Sequence, residues 1–371
     1  MPIRIRKKVS VLLSGGGTGG HIYPLLAVGD WLRNFGEGEI KVTFAGWAPG
    51  FRKEFEERYM SAYAVFPAKV RRYFSFKNFL DAPLFLFSML QALFWVWIVM
   101  PDVVFSKGGP SAFPVILAAR FYKIPVVIHE SDAVPSVTNR LSAKFASRIG
   151  ISFDSTAKEF PDGKAFFSGN PIRAELMRDW LDSFSAKSYF KLNPELPLLV
   201  VVGGSQGSLR INNFILDNLV ELLEKVQVIH QVGKENYKDA LKLSEITLRG
   251  SSEELKKKYI IRDYVSAKDM KIALNAADIV LTRSGSFIHE LALFGKPAIL
   301  IPLADAANDH QRANAYEYAG KGAALVIEEE NFSSHVFLNE VQKLLEPKRA
   351  EAMAQAARAL VRLDATEVVG R

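Results

Sequence analysis

Two glycine-rich turns and a few scattered titratable side chains are the places where this sequence could do chemistry. The first turn, Ser14–Gly15–Gly16–Gly17–Thr18–Gly19–Gly20–His21, follows a hydrophobic run and opens a stretch of helical period. Glycines there let backbone amides come close to an anion and the helix start adds a favourable dipole, so the chemistry indicated is phosphate binding. A second turn, Gly203–Gly204–Ser205–Gln206–Gly207–Ser208, stands in the same relation to the run Pro197–Val202. Gly15, Gly17 and Gly20 formally satisfy a dinucleotide fingerprint, but the next strand ends in Gly46–Trp47 without a carboxylate to hold a ribose, which counts against that reading. His21 is the first candidate for a general base, because a neutral imidazole takes a proton near pH 7; donation to a phosphate is its competing role. Glu130 and Asp132, at the end of a later hydrophobic run, are rival bases, with structural hydrogen bonding the plain alternative for Glu130. Metal chemistry is not indicated: the six histidines form no clustered ligand pattern, and Asp305, Asp309 and His310 read as a polar loop.

Groups this far apart need a large scaffold. At 371 residues with 49% hydrophobic content, the chain is longer than one core usually serves, so two domains are expected and a disordered or fibrous protein is excluded. The absence of cysteine excludes disulfides, thiolate metal sites and a thiol nucleophile, which fits a reducing cytoplasm. A net charge of +7 favours an anionic partner: nucleic acid, a phosphorylated ligand or acidic lipid. No zinc-finger spacing, ribonucleoprotein motif or long basic tract is present, so nucleic acid is not expected. The basic start, Met1 to Lys8, is followed only by Val9 to Leu13 before the glycines, too short for a signal peptide and read instead as a first strand.

Short runs of Val, Ile and Phe alternate with helical stretches throughout, the pattern of an α/β fold with doubly wound, Rossmann-like parallel sheets. Strands are expected near 8–13, 41–45, 63–66, 102–105 and 125–129, and again near 197–202, 226–230, 258–262, 278–282, 297–301 and 323–327. The first helix shows its buried face in Ile22, Leu25, Leu26, Gly29 and Leu32. Gly169–Asn170–Pro171–Ile172–Arg173 punctuates the chain as a hinge would, giving domains of 1–169 and 170–346. The tail, 347–371, reads as a helix from Pro347 to Leu363 that packs back on the first half. Each half then places a glycine-rich turn at the carboxyl end of its first strand, and a cleft between the halves is the expected active site.

Taken in order with Gly108–Gly109–Pro110, His129–Glu130–Ser131–Asp132, the Gly169–Arg173 block, Arg283–Ser284–Gly285–Ser286 and Asp309–His310–Gln311–Arg312–Ala313–Asn314–Ala315, the two turns give the chain a specific resemblance. From about residue 9 to 330 it resembles the MurG family, glycosyltransferases of family 28. The resemblance implies a GT-B architecture, two Rossmann-like domains facing across a cleft, with the lipid acceptor mainly on the first and the donor nucleotide mainly on the second. It implies inverting transfer of N-acetylglucosamine from UDP-N-acetylglucosamine (UDP-GlcNAc) to the undecaprenyl-linked muramyl-pentapeptide lipid in peptidoglycan biosynthesis, with no cofactor. Cell-wall synthesis proteins are the protein partners it implies. On the donor, Arg173 and Ser205 would make contacts, the backbone at Tyr264–Val265 would hold the uracil edge, and Arg283, Ser284, Gly285 and Ser286 would form a phosphate-facing turn. Glu290, otherwise an ordinary solvated acid, would hold the ribose hydroxyls, since a carboxylate accepts two protons from a diol. His310, Gln311 and Asp132 would read the sugar, and Thr18, Gly19 and Gly20 would close the site. Rival readings are a transferase making another glycolipid, for example on diacylglycerol, a UDP-GlcNAc epimerase, and a membrane-bound nucleotide sensor without catalysis.

Ala82 to Met100 has only Ser88 and Gln91 as polar side chains and no charge. At 1.5 Å per residue it is about 28 Å long, nearly a membrane thickness. Strands expected on both sides of it would be split by a crossing, so a helix lying in the interface is expected, with an oligomer interface or an ordinary core helix as alternatives. Asp81 and Pro83 suit its start. Before it, Lys69, Arg71, Arg72, Tyr73, Phe74, Phe76 and Lys77 mix basic and aromatic groups, which suits an anionic membrane lipid surface. Arg72, Phe85, Phe94, Trp95 and Trp97 are the expected membrane contacts, and the cytoplasmic face of the cell membrane, held peripherally, the expected location.

Overall fold

Strands that read as unbroken hydrophobic runs must be covered on both faces, which a parallel sheet flanked by helices provides. In the computed structural model, which describes residues 8–67, 76–204 and 206–371 and only the backbone of 76–81, two such sheets form. The chain divides into one unit of residues 1–174 with 362–371 and a second of residues 175–361.

In the first unit the described strands are β1 (Val9–Gly16), β2 (Ile40–Trp47), β3 (Ser61–Ala64), β4 (Val103–Ser106), β5 (Val126–Glu130), β6 (Arg148–Ile151) and β7 (Ala165–Phe167). They lie parallel in the order β3-β2-β1-β4-β5-β6-β7. Leu12 sits beside Thr43 on one side and Val104 on the other. The order reverses between β1 and β4, where a doubly wound sheet opens a crevice at its carboxyl edge. Leu13 packs with Ile22, Leu25 and Leu26 of the first helix, Gly19–Phe35, on one face; Leu12, Val104 and Ile128 pack with Val115 and Ile116 on the other. Each such buried aliphatic side chain stabilises by about 1.5–3 kcal/mol. Gly29 lets the first helix close on the sheet, since a Cβ there would stand 2.7 Å from Met60 Cε and 3.1 Å from Leu13 Cδ1.

The second unit repeats the plan with β8 (Leu198–Val202), β9 (Gln227–Gln231), β10 (Tyr259–Arg262), β11 (Ile279–Thr282), β12 (Ala298–Leu300) and β13 (Leu325–Val326). The parallel order is β10-β9-β8-β11-β12-β13, so its crevice falls between β8 and β11.

Three features differ from the sequence reading. The strands β6 and β7 were not expected: each is short, β6 carries Gly150 at its centre, and neither shows an extended hydrophobic run. The first unit runs to residue 174, so the boundary falls just after the Gly169–Arg173 block and not at 169. The single tail helix is two. Pro347–Ala359 stays with the second unit, where Met353 Sδ accepts from the Ala298 N–H and Arg358 lies against Gly295. Ala365–Gly370 joins the first unit, Thr366 donating to the Ile172 carbonyl and Gly370 lying on Trp31.

The apolar helix spans Phe76–Val99, so it begins earlier than Asp81 and Pro83 lies within it. Ser88, Ala92 and Val96 form its buried face, toward the helix Ala112–Phe121. Leu86, Leu90, Phe94, Trp97 and Ile98 form an opposite stripe that is 50–61% exposed. By length and composition the helix could cross a membrane. Of the expected contacts, Phe94 and Trp97 lie on the exposed stripe, whereas Phe85 is half-buried near Phe113. Trp95 turns inward, stacking on Tyr63 at 4.5 Å and donating its indole N–H to the Ala64 carbonyl at 3.2 Å. Arg72 lies outside the described residues.

Candidate active site

At the β1/β4 crevice three loops interlock. Ser111 Oγ donates to the Gly15 carbonyl at 3.0 Å and accepts from the Trp47 N–H at 3.0 Å, while the Gly17 N–H donates to the Trp47 carbonyl at 3.2 Å. A Cβ on Gly16 would stand 2.4 Å from Ser111 Oγ, and one on Gly109, whose φ is +92°, 2.6 Å from the Gly16 carbonyl oxygen. Steric closeness thus accounts for glycine at 16 and 109. A Cβ on Gly19, at the start of the first helix, would stand 2.8 Å from Tyr23 Cε2, and Thr18 makes no side-chain cap bond there. An N-terminus without a side-chain cap presents N–H groups and a positive dipole end to an anion. His21 Nδ1 stands 2.8 Å from the Gly16 carbonyl. A carbonyl only accepts, so the proton of the neutral ring is on Nδ1 and the basic lone pair on Nε2. Two residues on, the guanidinium of Arg173 lies 4.0 Å over the Tyr23 ring. The structure therefore gathers Thr18, Gly19, Gly20, His21 and Arg173 about one helix start.

Glu130 has a different setting. Its Oε1 accepts from the Asp132 N–H at 3.0 Å, and its Oε2 from the Ser136 N–H and Asn139 Nδ2, both at 2.9 Å. Burial, and then the charge of Asp132, push its carboxyl up, and these three bonds hold it down. Both oxygens are engaged in shaping the 131–139 turn, which is the structural hydrogen-bonding role. Asp132 is half-buried on that turn, and its carbonyl accepts from Thr156 Oγ1 at 3.2 Å. Next to it lies a group the sequence reading passed over: Lys107, buried, with its pKa lowered to about 8 by desolvation against the opposing pull of Glu130 and Asp132. The signal was a lysine ending the run Val103–Ser106 directly before Gly108–Gly109.

In the second unit Gly207 and Gly233, with φ of +78° and +89°, pass so closely that a Cβ on either would strike the other's loop backbone. Gln231 ties this turn to the next loop, donating to the Gly204 carbonyl at 3.1 Å and accepting from the Val265 N–H at 3.2 Å. Of the Tyr264–Val265 backbone expected at a uracil edge, the Val265 N–H is given to Gln231. Arg283, the first residue of the expected phosphate-facing turn, is held by several partners. Its side chain is buried, donating to Ser208 Oγ at 2.7 Å and to the Ile301 and Pro302 carbonyls, and it pairs with Glu329 at 2.5 Å. Its guanidinium ties the β8, β11 and β12 ends together. The turn after it stays accessible: Gly285 and Ser286 are partly exposed, a Cβ on Gly285 would meet nothing within 4 Å, and the helix Phe287–Phe294 follows with Glu290 in its first turn. Ser284 Oγ donates to the Gln311 carbonyl at 2.6 Å and Gln311 Oε1 accepts from the Leu303 N–H at 3.0 Å, bringing the β11 and β12 loops together. His310 opens the helix His310–Gly320, its Nδ1 bonded to the Ala307 carbonyl at 2.7 Å, after Asn308 and Asp309 with left-handed φ of 56° and 55°. Such backbone strain is costly away from glycine and concentrates at ligand sites. Ser205 lies outside the described residues. Among the described residues no cluster of three His, Asp or Glu could hold a metal ion.

Two sheets of one plan, each with a glycine turn at its switch point, have a counterpart among known proteins. Residues 11–151 match the glycosyltransferase family 28 N-terminal domain and residues 198–368 the family 28 C-terminal domain. The chain belongs to glycosyltransferase family 28. A relative from Clostridium novyi (strain NT), 34% identical over 92% of each chain, is named a UDP-N-acetylglucosamine–N-acetylmuramyl-(pentapeptide) pyrophosphoryl-undecaprenol N-acetylglucosamine transferase. One from Treponema denticola with the same name is 34% identical over 94% of this chain and 93% of its own. Among solved structures, MurG of Acinetobacter baumannii shares the fold with a TM-score of 0.72 at 24% identity, covering 98% of each chain. A UDP-GlcNAc 2-epimerase from Neisseria meningitidis, bound to UDP-GlcNAc, does so with a TM-score of 0.68 at 15% identity, covering 97% of this chain and 98% of that one. At such identities the likeness is one of fold, and family 28 membership rests on the sequence matches.

Proposed function

We propose that this family 28 glycosyltransferase moves N-acetylglucosamine from UDP-GlcNAc to the undecaprenyl-pyrophosphoryl muramyl-pentapeptide lipid, at the cytoplasmic face of the cell membrane. The activity named for relatives that match it end to end supports the substrates. The observation that carries the chemistry is His21, held at an uncapped helix start with its lone pair on Nε2. In this reading Nε2 takes the proton of an acceptor hydroxyl, and the hydroxyl oxygen attacks the anomeric carbon. The bond from that carbon to the phosphate oxygen breaks and its electron pair leaves with UDP, inverting the centre. Charge gathering on the diphosphate is met by backbone amides at the start of the helix Gly19–Phe35 and by Arg173, groups of one unit that stabilise without reorganisation. Glu290, in the first turn of Phe287–Phe294, is assigned the ribose hydroxyls.

The exposed stripe of Phe76–Val99 supports a peripheral seat on the membrane, where its aromatic and aliphatic side chains leave water without a crossing. The epimerase fold is the second reading, favoured by the shared architecture. Radiolabelled UDP-GlcNAc supplied with the muramyl-pentapeptide lipid, and separately with diacylglycerol, separates them. Label in the first lipid is expected; label only in diacylglycerol, or only in free epimerised sugar nucleotide, overturns the proposal.

A further inference from the structure

The transfer reading leaves Lys107 and His129 unused, yet both reach the segment that carries Arg173. Lys107 is 2% exposed at the carboxyl end of β4, and its Nζ donates to His129 Nδ1 at 2.7 Å and to Asn170 Oδ1 at 3.2 Å. His129 Nε2 stands 2.8 Å from the Gly169 carbonyl, so the proton of the neutral ring is on Nε2 and the Nδ1 lone pair faces the ammonium. Gly169 has φ of +70°, and a Cβ there would lie 2.6 Å from that of Arg362. From the other side Arg362 donates to the Phe167 carbonyl at 2.6 Å and Thr366 to the Ile172 carbonyl at 3.2 Å. Residues 167–172 are thus held between the sheet and the last helix, and the next residue is Arg173, stacked on Tyr23 two positions after His21.

A leucine or methionine would fill the space of Lys107 without the cost of a buried charge. What an apolar side chain lacks is directed donors, and the two described here end on His129 and Asn170. We propose that Lys107 is a positioning residue that, through His129 and Asn170, sets where Arg173 stands and thereby the affinity of the site for the donor diphosphate. The inference rests on the donor role given to Arg173 above.

A double-mutant cycle on the full chain tests it, using Lys107→Met, Arg173→Met and the pair, with thermal unfolding as the check on folding. The readouts are kcat and KM for UDP-GlcNAc, and the Kd for UDP by calorimetry. Each single change is expected to raise KM and Kd about tenfold, the loss of one charge-assisted contact, and to lower kcat as well, since Arg173 also meets charge on the leaving diphosphate; the pair should be no worse than Arg173→Met alone. Additive losses of about a hundredfold overturn the inference and leave the transfer reading intact. An unchanged KM and Kd in Arg173→Met overturns both the inference and the donor role of Arg173. If the wild-type chain transfers no sugar the transfer reading fails, and the cycle on the UDP Kd still decides the inference. Should Lys107→Met not fold, Asn170→Ala removes one arm and keeps the cation. It must raise the UDP Kd, and must not do so in the Arg173→Met background; an unchanged Kd overturns the proposal.

Discussion

Candidate residues that read alike in sequence are set apart by their hydrogen bonds. His21 and Glu130 were both candidate bases. The carboxylate of Glu130 accepts from two loop amides and Asn139, whereas the imidazole of His21 is oriented through Nδ1 by a backbone carbonyl, the arrangement that prepares Nε2 to accept a proton. Replacing His21 by Gln is therefore expected to lower kcat about 10²–10⁴-fold, the usual worth of a general base, while the Kd for UDP-GlcNAc measured by calorimetry moves little. A kcat within about threefold of wild type would remove His21 from that role. Arg283 shows the same lesson in a cation: its pairing with Glu329 and its bonds to two further segments are those of a brace, and the part of its motif left accessible is the Gly285–Ser286 turn.

The apolar helix Phe76–Val99 shows what an element-scale view adds. Its composition suggests a uniform lipid-facing cylinder, but packing against Ala112–Phe121 and Tyr63 divides it into two faces. The aromatic residues Phe94, Trp95 and Trp97, grouped together by sequence, part company here. Phe94→Ser with Trp97→Ser should release the protein from anionic vesicles in a flotation assay and leave its unfolding temperature nearly unchanged. Trp95→Ser should do the reverse, losing an aromatic stack and a hydrogen bond worth about 3 kcal/mol with membrane binding retained. Equal vesicle binding by the double variant and the wild type would point away from a membrane role for the stripe.

On the scale of the whole chain, the last ten residues belong to the unit formed by the first 174. Ala365 and Thr366 are buried there, and Trp31 is covered by Gly370. Deleting residues 362–371 should lower the unfolding transition of the first unit by about 2–4 kcal/mol, the worth of one or two buried side chains and their bonds, and leave that of the second unit in place. Calorimetric scans that coincide for the two chains would count against this. The sequence by itself determined the α/β class, the two-fold repeat of strand, glycine turn and helix, and nearly every central strand, because hydrophobic period and glycine placement are local signals. It also located the turns that bear His21 and Ser286. It did not reveal β6 and β7, which owe their place to neighbouring strands, nor the break in the tail, which depends on two separate surfaces. Nor could it find the partners that hold Arg283, or the Lys107–His129–Asn170 tie. Those groups are 22 to 63 residues apart in the chain, and only the parallel order of β4, β5 and the strands after them brings them within hydrogen-bond reach. A side chain's type is written in the sequence, but the partners that decide its protonation, orientation and accessibility are assembled by tertiary structure.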